Sequence, residues 1–452
     1  MKKATEALDY KTLLVFFIPL GFSASLVTMS HLIINSTLVR GENSEFIIAS
    51  YTIALSFFGM IERLGVLLRQ TCSSLVRDRY SFKLLSKFAL YLLTTLMLIS
   101  VAIAYTSVGD FIFATIYGVN AQMVATIKGI YQILIFVTVF STLRCLCQGV
   151  IIYHRQTKWL TIGMGIRLAV MYGLAMVFIH TGQISGKTGA VIFLVGMAIE
   201  CLISFLEARK LVSHMPEKHE RQVESQRVIS RFYFPLMFSS VITVMIGPAI
   251  NVFLGKTSDI ELAIASYAVA LSVTQLFLSF FSYTHQIVIN FYEDHSEKVK
   301  KFTFLVGFLP FILIALFSFT PMGRFFLEEI MGVEGRLLMA SLDVLKVFLL
   351  MALVFPFVDY FNGLLMVHKQ TKVTIVSQAS NLIVTFICLM VGIRIAAEWN
   401  GVIGAFAQSM GLLAELVVVS SIIHALNRSR GKGSFNLKKD SVEKGYEKVN
   451  PS

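Results

Sequence analysis

The chain has 452 residues, 56% of them hydrophobic and only 15% charged, with a formal net charge of +12 and a mean hydropathy of +0.74. A soluble chain carries about 25% charged residues, so the composition excludes an ordinary soluble domain and points to a polytopic membrane protein. The net charge alone would suggest nucleic acid, but the bases sit in short loops between apolar segments, which excludes that reading.

The chain opens with MKKATEALDYK, two early lysines ahead of an apolar run. A signal peptide would have a shorter apolar core and a small-residue cleavage site. The run at 13–38 is too long for that, and it reads as a permanent helix. A membrane helix needs about 20 mostly apolar residues. Twelve such segments follow in order: 12–38, 46–68, 82–108, 124–152, 158–180 and 188–212, then 230–255, 262–289, 302–323, 337–366, 372–396 and 401–426. The expected organisation is a six-helix bundle over 1–213, a polar linker over 214–229, a second six-helix bundle over 230–426, and a basic tail over 427–452 expected to be mobile.

The two halves repeat each other. QGVIIYHRQTK (Gln148–Lys158) returns as NGLLMVHKQTK (Asn362–Lys372), a shift of 214 (368 − 154, counted on the histidines). FFIPLGFSASL at Phe16 returns as FYFPLMFSSVI at Phe232, and IASYTIALS at Ile48 as IASYAVALS at Ile264, both shifted by 216 (232 − 16, 264 − 48). TIYGVNAQ around Gly118 answers EIMGVEGR around Gly332, at 214 (332 − 118). A period this long is no solenoid repeat. An even number of spans per half gives both halves one orientation, a parallel repeat about the membrane normal.

The loops fall into two sets. One set, with both termini and the linker, holds roughly 28 of the 39 lysines and arginines. The other holds about six: Arg40, Lys187, Lys256, Arg324, Arg336 and Arg394. The basic set is expected to be cytoplasmic, in the cell membrane, and the QTK motifs read as tight turns with a lysine anchored at lipid headgroups.

Charges inside spans are rare and face a cavity or a partner. Glu62 and Arg63 lie in the second span, Lys128 and Arg144 in the fourth, Arg167 in the fifth and Glu200 in the sixth. Asp343, Lys346 and Asp359 lie in the tenth, and Glu415 in the twelfth. Lys128, Asp343 and Lys346 are near span ends and can snorkel; Glu200 and Glu415 read as structural partners. Glu62, Arg63, Arg144 and Arg167, with Asp359 from the other half, read as lining an inward cavity. The competing reading is internal pairing of Arg144 or Arg167 with Glu62. An arginine fork suits carboxylate or phosphate.

The first span of each half is polar along its length. It holds His31 and Asn35 in one copy and Asn251 in the other, and the asparagines are repeat equivalents (251 − 35 = 216). Pro19, Pro235 and Gly247-Pro248 weaken the helical ladder and invite bends. Polar, breakable helices at matching places in two halves point to a transport site, with Asn35 and Asn251 expected to meet across the pseudo-two-fold. The cysteines Cys72, Cys145, Cys147, Cys201 and Cys388 have neither CxxC nor zinc spacing and read as packing residues. No Walker loop, GxSxG or HExxH is present, so neither an enzyme nor an ATPase is expected, and no metal or cofactor.

Two six-span bundles in parallel repeat resemble the MOP exporter superfamily, which includes the MATE exporters and lipid flippases. FFIPLG at Phe16, RDR at Arg77, PAINVFLGK at Pro248, KKFTF at Lys300 and IMGV at Ile330 most resemble the progressive ankylosis (ANK) family. That resemblance implies a V-shaped pair of bundles and export of a small multivalent anion of the citrate, pyrophosphate or nucleotide-phosphate class. A flippase for a lipid or lipid-linked precursor and a multidrug exporter are the alternatives. The expected partners are a small-molecule or lipid substrate and membrane lipids, with a proton or sodium as coupling ion left open.

Overall fold

The computed structural model describes residues 9–154, 156, 158–217, 225–367 and 371–446. Part of the linker, part of the first QTK turn and residues 368–370 of the second lie outside these. Among the described residues the chain is helical throughout, with no strand. Ten helices among the described residues are long and apolar enough to cross a membrane. They are the second to sixth spans of each half; the first spans are α1 (Tyr10–Leu38) and the pair α8 (Gln226–Val244) and α9 (Ile246–Leu254).

In the first half α2 (Ser44–Leu75), α3 (Arg79–Tyr105), the short α4 (Ser107–Phe111), α5 (Ala121–Tyr153), α6 (Lys158–Thr181) and α7 (Gly186–Ser213) follow α1. In the second half α10 (Ile260–Phe281), α11 (Thr284–Gly307), α12 (Leu309–Phe319), the short α13 (Pro321–Phe325), α14 (Gly335–Val367), α15 (Thr371–Ile395) and α16 (Gly401–Tyr446) follow α9. The eighth and ninth spans meet at a corner, marked by the non-helical backbone of His295 (φ −138°, ψ 46°). The helix of the eighth span is interrupted at Ser282–Tyr283. Within the expected tail, α16 continues as helix to Tyr446; extending an existing helix is far cheaper than nucleating one.

The duplication is visible in the backbone. Each half turns between its third and fourth spans through a short helix and one wide π turn, Ile112–Ile116 in the first and Phe326–Ile330 in the second. Gly118 (φ +74°) and Gly332 (φ +78°) end the two turns. Both adopt a left-handed conformation that side chains resist. The turns pack across the pseudo-two-fold. A Cβ on Gly118 would stand 3.1 Å from the carbonyl oxygen of Gly255, and one on Gly332 would stand 3.0 Å from Arg40 Cγ.

This face, opposite the linker, is closed. Arg40 Nη1 and Nη2 donate to the carbonyls of Met331 and Ile330, each at 2.8 Å. Arg336 Nε donates to Glu45 Oε1 at 2.8 Å, and its Nη1 to Asp259 Oδ2 at 2.7 Å. One apolar core runs through both halves here, from Ile34 and Tyr51 to Tyr267 and Phe348.

Toward the linker face the core divides into two clusters, the two arms of the V. One joins Leu13 and Phe17 of α1 to Phe281, Val288 and Phe302 of the second half. The other joins Ile229 and Tyr233 of α8 to Leu67, Leu68 and Leu85 of the first. Each half's first helix therefore begins in the opposite half and ends in its own. Near Gly21, α1 meets α10 so closely that a Cβ would stand 2.7 Å from the Phe280 carbonyl. The α8–α9 helix breaks at Met245, where Pro248 withholds a backbone donor.

Candidate functional site

The buried hub of the first half is Glu200 on α7, 1% exposed. Arg144 Nη1 on α5 donates to its Oε1 at 2.8 Å, and Arg167 Nη1 on α6 to its Oε2 at 2.8 Å. Gln148 Nε2 donates to Oε1 at 2.9 Å, and Arg69 Nη1 of α2 donates to Gln148 Oε1 at 3.3 Å. Two guanidiniums on one carboxylate leave one positive charge in excess. The Nε of Arg144 and that of Arg167 are buried with no hydrogen-bond partner. Arg167 also stacks over Phe193 at 5.4 Å, and His31 lies 5.8 Å from the same ring. The arginines were expected to line a cavity or to pair with Glu62. Both are buried (7% and 4% exposed) and hold Glu200 instead. Glu62 accepts from Ser141 Oγ.

The QG of the repeated motif has a double task here. Gln148 feeds the carboxylate, and Gly149 lets α5 lie directly on α2, where a Cβ would stand 2.4 Å from Cys72 Cβ and 2.8 Å from the Arg69 carbonyl.

Arg63 differs from its neighbours. It is exposed and makes no hydrogen bond or ion pair among the described residues. It lies 12 residues before the end of α2 (75 − 63), about 18 Å along the axis, so it is well inside the span. Gly59, one turn earlier on the same face, has no atom within 4 Å of a Cβ position. A lone charge on lipid is costly, and α2 packs against α5, α8 and α10.

The remaining expected residues are placed as follows. Asp359 accepts the backbone N–H of His285 at 2.8 Å, and His285 Nδ1 lies 3.0 Å from its Oδ1, so it caps the start of α11. Asn35 and Asn251 are buried (8% and 3% exposed). No hydrogen bond joins them among the described residues. The end of α1 packs on Gly189 of α7 in the first half, whereas α9 packs on α15 and α16 in the second. Lys128 pairs with Asp110, and Lys346 with Asp343, each at 2.8 Å near the ends of their spans. Sequence reasoning missed Gln148 and Arg69 as members of the hub, and the cross-half set Arg40, Glu45, Asp259 and Arg336.

No family profile and no curated sequence matches this chain. Solved structures do. A multidrug-resistance MATE transporter of the MOP superfamily in an inward-facing conformation aligns with TM-score 0.66 at 14% identity, over 88% of this chain and 96% of that one. The lipid II flippase MurJ in an inward closed conformation aligns with TM-score 0.66 at 14% identity, over 90% and 87%. A MOP-superfamily transporter from Pyrococcus furiosus, described as having a binding pocket of reverse polarity, aligns with TM-score 0.59 at 15% identity, over 92% and 97%. The chain thus has the fold of the MOP-superfamily transporters: a multi-pass membrane protein of two parallel six-helix halves.

Proposed function

We propose that the protein is a secondary transporter of the MOP type that exports a small multivalent anion by alternating access, with both termini cytoplasmic. The observation that carries this reading is Arg63, an exposed guanidinium deep in a span with no hydrogen bond or ion pair among the described residues, which we read as facing the space between the halves because a lone charge on lipid is costly. Around it the first half holds Arg69, Arg144 and Arg167 against Glu62 and Glu200. A positive field between low-dielectric walls concentrates anions, and a guanidinium binds carboxylate or phosphate through two parallel hydrogen bonds. The short stretches similar to the ANK family lean the same way. Pocket polarity differs among proteins of this fold, as the Pyrococcus furiosus transporter illustrates.

The division of the core at the linker face, with α1 and α8–α9 passing between halves, supports a rocking of one half against the other about those helices. The test is a flux panel in vesicles with citrate, pyrophosphate, a cationic dye and a labelled lipid, on wild type and Arg63→Ala. Anion flux that falls at least tenfold in the variant is expected. Movement of the dye or the lipid alone, or an Arg63 change without effect, rejects the anion assignment.

A further inference from the structure

The carboxylate hub of the first half has a counterpart in the second, and the counterpart has lost its cations. Glu415 stands where Glu200 does (415 − 200 = 215), Asn381 where Arg167 does (381 − 167 = 214), Asn362 where Gln148 does (362 − 148 = 214), and Val358 where Arg144 does (358 − 144 = 214). The geometry survives the exchange. Asn381 Nδ2 donates to Glu415 Oε2 at 2.8 Å, as Arg167 Nη1 does to Glu200 Oε2. Thr385 Oγ1 donates to Asn381 Oδ1 at 3.2 Å, which fixes the amide with its N–H toward Glu415. Gly411 allows this closeness: a Cβ there would stand 2.4 Å from Asn381 Oδ1.

Glu415 is 6% exposed and has no ion pair among the described residues. The titratable groups of the helices around it do not supply one. On α14, Asp359 is held by His285, and Arg336, Asp343 and Lys346 lie toward the opposite face, the last two paired with each other. On α15 they are Lys372, in the first turn and nine residues before Asn381 (381 − 372), Cys388, and Arg394 at the far end. On α10 they are Glu261, in the first turn, and Tyr267, which donates to Gln408; α9 has none. A buried carboxylate without a cation costs several kcal/mol. Asn362 reaches the same carboxyl group, yet its own Oδ1 is buried without a hydrogen-bond partner. A carboxyl O–H would satisfy that acceptor. A cavity of about 700 Å³, lined by Tyr360 and Leu364 of α14, Ser420 and His424 of α16 and Lys300 of α11 among others, opens farther along the same two helices, toward the linker face. Glu415 is five residues before Ser420 on α16 (420 − 415), about 8 Å along the axis.

We propose that Glu415 binds and releases the proton that couples the transport cycle, with Asn381 and Asn362 holding both forms; this rests on the reading of the protein as a secondary transporter. The ionised form accepts amide N–H bonds, and the acid form donates its O–H to Asn362. The proton comes from water and returns to water.

Infrared difference spectroscopy tests this on the full chain in lipid nanodiscs. Expected is a carboxyl C=O band that shifts in D2O, disappears on alkalinisation, and is absent from Glu415→Gln. Asn381→Arg, which restores the arrangement of the first half, should also abolish it by keeping the glutamate ionised. Glu415→Gln is isosteric and carries the test alone should Asn381→Arg not fold. In vesicles, a pH gradient should accelerate wild-type flux of whichever solute moves and leave Glu415→Gln unaffected. Identical spectra for wild type and Glu415→Gln, a band that does not respond to pH, or flux indifferent to the gradient would overturn the proposal. So would saturable binding of radiolabelled sodium that Glu415→Gln abolishes. The band does not depend on the solute, so an intact band without anion flux removes only the anion assignment.

Discussion

Arg40 donates across the pseudo-two-fold to the carbonyl oxygen of Met331, at 2.8 Å. It thereby ties the end of α1 to the π turn of the other half. Its guanidinium reaches two backbone acceptors, which do not require a second mobile side chain, and a hydrogen bond from a charged group is worth up to about 1.5–3 kcal/mol. Arg40→Ala is expected to shift the population toward a state open on this face by about tenfold. Distances between spin labels placed in α4 and α13 report it. An unchanged distance distribution would show that the contact does not hold the face shut.

Arg336 is expected to matter less. Its side chain is 60% exposed, and exposed ion pairs contribute about 0.2–1 kcal/mol. Arg336→Ala should change the same distance distribution less than threefold, and raised salt should erase the difference.

Ser36 Oγ lies 3.3 Å from the carbonyl oxygen of Ile330, so the chains on either side of the closed face are near each other. Ser36→Cys with Ile330→Cys, in a chain stripped of its own cysteines, is expected to cross-link under mild oxidation and stop transport. Flux that persists in the fully cross-linked protein would mean that this face does not open in the cycle.

The Glu200 hub should behave as a buried pair does. Glu200→Gln leaves two guanidiniums uncompensated, and breaking such a group costs about 3–5 kcal/mol. Thermal unfolding in detergent should show a large loss of Tm. Adding Arg144→Val and Arg167→Asn to that variant installs the residues the second half uses at those positions, and it should recover much of the loss. A triple variant less stable than Glu200→Gln alone would contradict the pairing.

Glycines of opposite surroundings should respond with opposite sign. Gly149→Ala drives a methyl group against the Arg69 carbonyl and Cys72, and overpacking costs about 1–3 kcal/mol. Gly173→Ala on α6 meets nothing within 4 Å and should gain up to about 1 kcal/mol of helix propensity. The two melting curves check both signs.

The spans, their number and the duplication were legible because apolar runs and repeated stretches survive in one dimension. The hub was not. Arg144, Arg167 and Glu200 were visible as charges, but their helices are apolar nearly all round, and such helices give no sign of which face meets which neighbour. Applying the repeat to single residues would have shown more, since Arg167 and Asn381 fall at the same shift as the QTK motif. The straddling of α1 and α8–α9 could not be read at all, because the same apolar residues suit either half. Arg40 and Arg336 looked like ordinary loop bases, and their role comes from a fold that brings the two π turns together.

The crossing of α1 also sets an order of assembly. Leu13 and Phe17 find their partners near Phe281 and Phe302, so the ribosome must add 268 residues (281 − 13) before the first helix can dock. At about 5–20 residues per second that wait is on the order of half a minute, spent with one end of α1 unclaimed in the bilayer. Ile229 and Tyr233 of α8 meet no such delay, because Leu67, Leu68 and Leu85 are already made. The second half is thus guided into place by the first, whereas the first is completed only by the second.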